Sequence, residues 1–221
     1  MEKTKAIKIA AGLIFCLLTF AVGYWAATSS MEAQRKLRLE LAHKDPSKRV
    51  AALKKTFKGK LNPPPQMLMK RMTDKHHFVS GSAAETVYRM GMGKKLTGDV
   101  VKNLMKRLPK ETEFTQRWLI ANIIAFDYEA GFELAAQYLP KMKSRFAEPF
   151  FLRILVLHCQ ETPNFKTILA DMEKRDEPYQ SLAYKVKEKL ALPPKRRWHL
   201  MKDFLPPSLL VEKLPRHPAS L

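Results

Sequence analysis

The sequence predicts an all-α protein: an N-terminal single transmembrane helix, a right-handed-type stack of antiparallel helical hairpins, and a Pro-rich C-terminal arm. Three observations predict it. Ile9 to Met31 are twenty-three residues without one Lys, Arg, Asp, Glu or His; at about 1.5 Å per helical residue the run exceeds a hydrocarbon core of roughly 30 Å. Beyond it, apolar residues recur at helical spacing with almost no period-two alternation, and only eight glycines punctuate 221 residues, which argues against sheets. The last thirty residues hold Pro193, Pro194, Pro206, Pro207, Pro215 and Pro218, a density that no long helix tolerates.

The apolar run follows Lys3, Lys5 and Lys8, as in a secretory signal or an uncleaved signal-anchor. Its exit favours the anchor. Trp25-Ala26-Ala27 and Val22-Gly23-Tyr24 put bulky groups where a cleavage site needs small ones, and Tyr24 and Trp25 suit the head-group layer. Ile9, Leu13, Phe15, Leu17, Phe20, Tyr24 and Trp25 are therefore expected to form the membrane anchor. The expected location is an inner or plasma membrane, and the short basic tail before the span, which usually stays in the cytosol, places the C-terminal part outside it, periplasmic or equivalent. Cys16 lies in the apolar run and Cys159 in a later apolar segment, so no intrachain disulfide is expected.

Four segments follow from the punctuation: an anchor at 1–30, a basic stalk and first helix at 31–62, a helical repeat domain at 63–191, and the arm at 192–221. Met31 to Lys60 carries ten Lys or Arg against three acids, an excess that can lie on anionic lipid or form a solvated helix face. Asp45-Pro46-Ser47 is a helix start, with Asp45 as N-cap and Pro46 in the first turn, where its missing N–H is not needed. Asn62-Pro63-Pro64-Pro65 breaks the chain and is read as a corner between helices. Helices are then expected over 64–72, 76–91, 97–108, 112–128, 130–142, 145–159, 163–174 and 178–191. Asp74, Thr97, Thr112, Ser144 and Thr162 are candidate caps; Gly91-Met92-Gly93, Leu108-Pro109, Gly131 and Leu139-Pro140 mark turns or ends. Connections of two to six residues make neighbours antiparallel.

A frame recurs along this stack. Asp74 is followed at +5, +9, +10 and +13 by Val79, Ala83, Ala84 and Val87, and the pattern returns as Glu113, Trp118, Asn122, Ile123 and Phe126. It returns again as Ser144, Pro149, Arg153, Ile154 and Leu157, then as Glu173, Pro178, Leu182, Ala183 and Val186. On these residues the chain resembles the HEAT-repeat α-solenoids over about 45–190, with Asp74 to Val87 the best match. The departures are Ser80 where a basic residue is usual, and Asn122 and Arg153 where small residues belong. The resemblance implies a curved superhelix whose concave face binds partners; an irregular helical bundle is the alternative.

Catalytic chemistry is not legible. His76 and His77 are adjacent, so their side chains diverge by about 100° on a helix, and neither has a His, Glu or Asp at helical i+4 spacing to build a chelate. His158 and Cys159 close an apolar segment that reads as core. Gly91-Met92-Gly93-Lys94-Lys95 lacks the strand and the Ser or Thr of a phosphate loop, and is read as a basic turn. No cofactor, metal or small-molecule substrate is expected, and the chain is read as no enzyme. Seven methionines between Met67 and Met142 serve as core filler or as an adaptable surface.

With 40 basic against 21 acidic residues, a formal charge of +19 favours an anionic counterpart. The expected partners are membrane lipid and an acidic protein surface or membrane protein complex, with nucleic acid less favoured. Lys94, Lys95, Lys195, Arg196, Arg197, Trp198 and Phe204 are the candidate contact residues. The function expected is a membrane-anchored, non-catalytic scaffold or assembly subunit. The alternatives are a tethered nucleic-acid-binding repeat protein and a helical-repeat enzyme.

Overall fold

Ten α-helices follow one another in the computed structural model, which describes residues 2–57, 63–159 and 161–193, with backbone alone at 2–18 and 21. They are α1 (Glu2–Ala42), α2 (Pro46–Phe57), α3 (Pro65–Arg71), α4 (His77–Arg89), α5 (Gly98–Arg107), α6 (Glu113–Phe126), α7 (Tyr128–Tyr138), α8 (Ala147–Cys159), α9 (Phe165–Glu173) and α10 (Tyr179–Leu190). No strand occurs among the described residues. The chain divides into two compact units at Pro63 and Pro64.

The first unit corrects the expected anchor. Among the described residues no helix is long and apolar enough to cross a membrane, which conflicts with a single-pass protein of the inner or plasma membrane. The helical backbone runs unbroken from Glu2 to Ala42, through the expected anchor–stalk boundary at residue 30. Its described part soon turns polar: Thr28 and Ser29 donate to the carbonyls of Tyr24, Trp25 and Ala26, and Glu32, Arg35, Lys36, Arg38 and Glu40 follow. Phe20, Tyr24 and Trp25 are exposed; the side chains of Ile9, Leu13, Phe15 and Leu17 lie outside the described residues.

Past that point α1 doubles back on α2. Leu37 and Leu41 of α1 and Ala52 and Leu53 of α2 are fully or almost fully buried, and Lys55 Nζ pairs with Glu40 at 2.8 Å. The turn is held at both ends. The Asp45 carboxylate accepts the Ser47 N–H at 2.8 Å as N-cap, and Arg49 donates to the carbonyls of His43 and Lys44 at 2.7 and 2.8 Å.

In the second unit α4, α6, α8 and α10 pack side by side in that order, with α3 against α4, α7 against α6 and α9 against α10. The repeated frame explains this. Val79, Ala83, Ala84 and Val87 of α4, Ile123 of α6, Ile154 of α8, and Leu182, Ala183 and Val186 of α10 are all buried. α6 is apolar almost all round, as a helix enclosed by neighbours must be. Asn122 departs from the frame's small residue and is nonetheless buried, because its amide finds two carbonyls.

Local chemistry sets the boundaries. Gly91 adopts φ 66°; the Met92 N–H reaches the Val87 carbonyl and the Gly91 N–H the Tyr88 carbonyl, which closes α4 in a Schellman motif. Thr97 caps α5 by accepting the Val100 N–H. Leu108-Pro109 and Leu139-Pro140 form short 3₁₀ turns. Three expectations shift. Thr112 gives its hydroxyl to Thr115 Oγ1 instead of capping α6. Thr162 donates to the His158 carbonyl, and α9 begins after Asn164. Gly131 lies inside α7 instead of at a turn; the break falls at Asp127, whose carboxylate caps α7 through the Ala130 N–H at 3.1 Å.

Candidate functional site: an arginine and aromatic groove

The accessible residues of α4 between Phe78 and Arg89 are Phe78, Ser82, Glu85 and Arg89. Their spacing of four, three and four places them on one stripe of the helix. The neighbouring helices present Phe114 and Arg117 from α6, and Pro149 and Arg153 from α8, with Phe146 standing just before α8. Glu85 and Arg89 of that stripe, with these residues of α6 and α8 and Phe146, line a groove of about 300 Å³ that crosses the three helices.

Aromatic rings build its floor. Trp118 is tilted against Tyr88 at 5.7 Å and edge-on to Phe150 at 5.0 Å, and Phe150 is edge-on to Phe151 at 5.4 Å. Guanidinium groups lie over this floor: Arg89 at 5.2 Å from the Trp118 ring and Arg117 at 5.7 Å from the Phe150 ring. At the rim Arg145 covers the exposed Phe146 at 4.9 Å. A guanidinium stacked on a ring keeps its charge and its planar fork of donors, so the rings position the cations without neutralising them. Glu85 is the one acid lining the groove against three arginines, and it pairs with Arg89 at 2.9 Å. Arg117 Nε is buried with no hydrogen-bond partner. Such a surface takes an anion carried on an apolar body.

A second cluster lies where α6 meets α7 and α8 ends. Glu161 Oε2 is 2.8 Å from Lys94 Nζ and 3.2 Å from His158 Nδ1, while His158 Nε2 is 3.0 Å from the Tyr88 hydroxyl. The hydrogen bond from His158 is the main cause that holds the Glu161 carboxyl down to about 2, with Lys94 adding to it against the cost of partial burial. Burial pushes the Tyr88 and Tyr128 phenols upward. A small cavity of about 320 Å³ opens beside Lys94, Tyr128, His158 and Glu161. His158 thus belongs to a polar chain, while Cys159 beside it is buried and donates to the Val156 carbonyl.

The residues singled out in the sequence fall elsewhere. Lys94 is engaged by Glu161 and Lys95 is exposed, both on the 3₁₀ turn at Gly93–Lys95. Neither lines the arginine groove. Lys195, Arg196, Arg197, Trp198 and Phe204 lie outside the described residues. The sequence reading missed Arg89 and Arg117, and used Trp118 only as a frame residue. One signal was present: Arg153 stands where the frame wants a small residue, and it lines the groove. Among the described residues no three His, Cys, Asp or Glu side chains gather as metal ligands. In comparison with known proteins, no family model, no curated protein and no solved structure matches the chain.

Proposed function

We propose that this chain is a non-catalytic scaffold that holds a protein partner by an acidic segment laid in the groove of α4, α6 and α8. One observation carries the reading: Arg89, Arg117 and Arg153, one from each of three successive helices, line a single aromatic-floored groove that holds only one acid. Arginine over aromatic rings is the composition of interface hot spots, where a desolvated charge meets a fixed apolar surface. Protein is favoured over nucleic acid because basic side chains outside the groove already have carboxylate partners, Lys94 with Glu161 and Lys185 with Glu148 among them, which leaves no continuous basic track beside it. Three guanidiniums are also fewer than the six to ten phosphate contacts, roughly, of a nucleic-acid footprint.

The test is a titration of the full chain with a fluorescent polyglutamate peptide, read by anisotropy. Saturable binding that Arg117→Glu weakens by about ten-fold or more, as charge reversal at a desolvated contact should, supports the reading. Binding that survives Arg117→Glu unchanged, or a preference for single-stranded DNA over polyglutamate with a steep salt dependence, overturns it.

A further inference from the structure

We propose that the edge of the second unit formed by the turns before α4, α6 and α8 is a docking surface for anionic lipid, with Phe78 and Phe146 entering the head-group layer and basic side chains around them. The contact is peripheral and needs no membrane-crossing segment.

Hydrogen bonds put the three turns on one edge. From the end of α5, Arg107 donates to the Thr73 and Asp74 carbonyls at 2.6 and 2.7 Å, which ties the turn before α6 to the turn before α4. Thr115 adds a bond to the His77 carbonyl at 2.9 Å. The turn before α8 is joined next, because the Glu113 carboxylate accepts the N–H groups of Lys143 and Ser144 at 3.1 and 3.0 Å. These bonds also engage the acids of the edge. Glu113 is held by the two amides, while Asp74 and Glu111 are buried, Asp74 against Arg71 and Glu111 against Arg107 and His77. The cations are left outside. Lys75, Lys110, Lys141, Lys143 and Arg145 are all exposed, and among the described residues no carboxylate pairs with any of them. Lys141 and Arg145 rest on the rings of Tyr138 and Phe146 at 5.3 and 4.9 Å, contacts that keep the charge.

The apolar side chains of the edge choose the partner. Phe78, in the first turn of α4, is 66% exposed, and Phe146, immediately before α8, is 61% exposed. A phenylalanine this open among lysines suits the boundary of head groups and acyl chains, where the ring is buried while the lysine stems carry their ammonium groups back to the phosphates. Four of the five cations are lysines, point charges on flexible stems, which fit a fluid anionic surface; fixed carboxylates or a phosphate ladder are better held by the planar fork of arginine. The edge has a limit. The turn before α10 carries the exposed acids Asp176 and Glu177, so the basic character stops at α8. Phe146 also lines the arginine groove, and the lipid contact does not depend on what occupies that groove.

The experiment mixes the full chain with phosphatidylcholine vesicles, with and without about one-third phosphatidylserine, and reads co-sedimentation. Combining Lys75→Glu, Lys110→Glu and Lys143→Glu should weaken binding to the anionic vesicles at least about ten-fold. Combining Lys95→Glu, Lys102→Glu and Lys166→Glu, the same charge change on exposed lysines outside the three turns, should cost less than about three-fold. Circular dichroism checks that both triple variants keep the helix content of the parent. A second readout separates this edge from any other lipid contact of the chain. With brominated lipid in the anionic vesicles, the emission added by Phe78→Trp should be quenched, and that added by Phe126→Trp, at the far end of α6 about 20 Å away, should not. Failure of the parent to bind anionic vesicles overturns the proposal, as do equal losses in the two triple variants. Quenching that is absent at Phe78→Trp, or equal at both positions, overturns the placement of this edge against lipid. Tighter binding to single-stranded DNA than to the anionic vesicles, lost in the first triple variant, would assign the edge to nucleic acid instead.

Discussion

Asn122 on α6 donates its amide to the carbonyl of Ala84 on α4 at 2.8 Å, and to the Trp118 carbonyl one turn back at 2.8 Å. It is fully buried and stands where the repeated frame favours a small side chain. The pair locks α6 against α4 at the depth of the groove floor, since Trp118 sits one turn away.

Replacing Asn122 should therefore cost more than its size suggests. Asn122→Ala leaves the Ala84 carbonyl without this donor in a dry interface and opens a small cavity, for an expected loss of about 2–3 kcal/mol. Asn122→Asp should cost more, because a carboxylate there cannot donate and would be buried. Urea denaturation followed by circular dichroism checks both. A loss below about 0.5 kcal/mol for Asn122→Ala, the range of an ordinary surface substitution, would mean that this hydrogen bond does not hold the interface.

Arg107 is a second fastener, between α5 and the turn before α4. It donates to the carbonyls of Thr73 and Asp74 at 2.6 and 2.7 Å, and to Glu111 Oε1 from Nε at 3.1 Å. The Glu111 side chain is 2% exposed and also meets His77 Nδ1 at 2.7 Å. Three acceptors held by one planar fork cannot be reproduced by an ammonium. Arg107→Lys is expected to recover less than half of the stability lost in Arg107→Ala, itself about 2–4 kcal/mol because a buried carboxylate loses its cation. Equal stability of Arg107→Lys and the parent in the same denaturation assay would rule out the fork.

How much of this was legible depends on how local its cause is. Helix α5 announces itself through Thr97, and the end of α4 through Gly91, because capping and positive φ are properties of a few adjacent residues. The packing frame was legible at Ala83-Ala84 and Leu182-Ala183, where periodicity alone selects the buried face. The groove was not, since Arg89, Arg117 and Arg153 are far apart in sequence and meet only when three helices stack. The anchor misled for a related reason. A run without charges is necessary for a membrane span, yet the described helix continues through Thr28, Ser29 and a charged segment without a break.

The Glu161 carboxyl gives a pH prediction with a definite sign. Its pKa in the folded protein is lowered from 4.5 to about 2 by His158 and Lys94. A depressed carboxyl contributes stability that is fully present above its unfolded value and is lost as pH falls through the folded one. The contribution of Glu161 should therefore be intact above about pH 5 and fade between about 4.5 and 2. Glu161→Gln should be less stable than the parent at neutral pH, with the gap narrowing over that window. A gap that stays constant from neutral pH down to the acid limit would show that the carboxylate charge contributes nothing there. Lys94→Met should narrow the same gap in part, because Lys94 is the second source of the depression.

Gly131 carries the sharpest steric prediction. Inside α7, a Cβ at this position would lie 2.4 Å from Ile124 Cα and 2.5 Å from Ile124 N, both backbone atoms of α6. Backbone cannot swing aside as a side chain does, so even a methyl group must push α7 away from α6. Elsewhere in a helix Gly→Ala gains helix propensity, about 1 kcal/mol; here overpacking of at least about 1–3 kcal/mol opposes it and should win. Gly131→Ala is expected to lower the thermal midpoint, and Gly98→Ala, with open space around its Cβ position, to leave it unchanged or raise it. If Gly131→Ala raised the midpoint as Gly98→Ala can, the close crossing of α6 and α7 would be wrong, and with it the placement of Ile124 and Tyr128 beside the Lys94–Glu161 cluster.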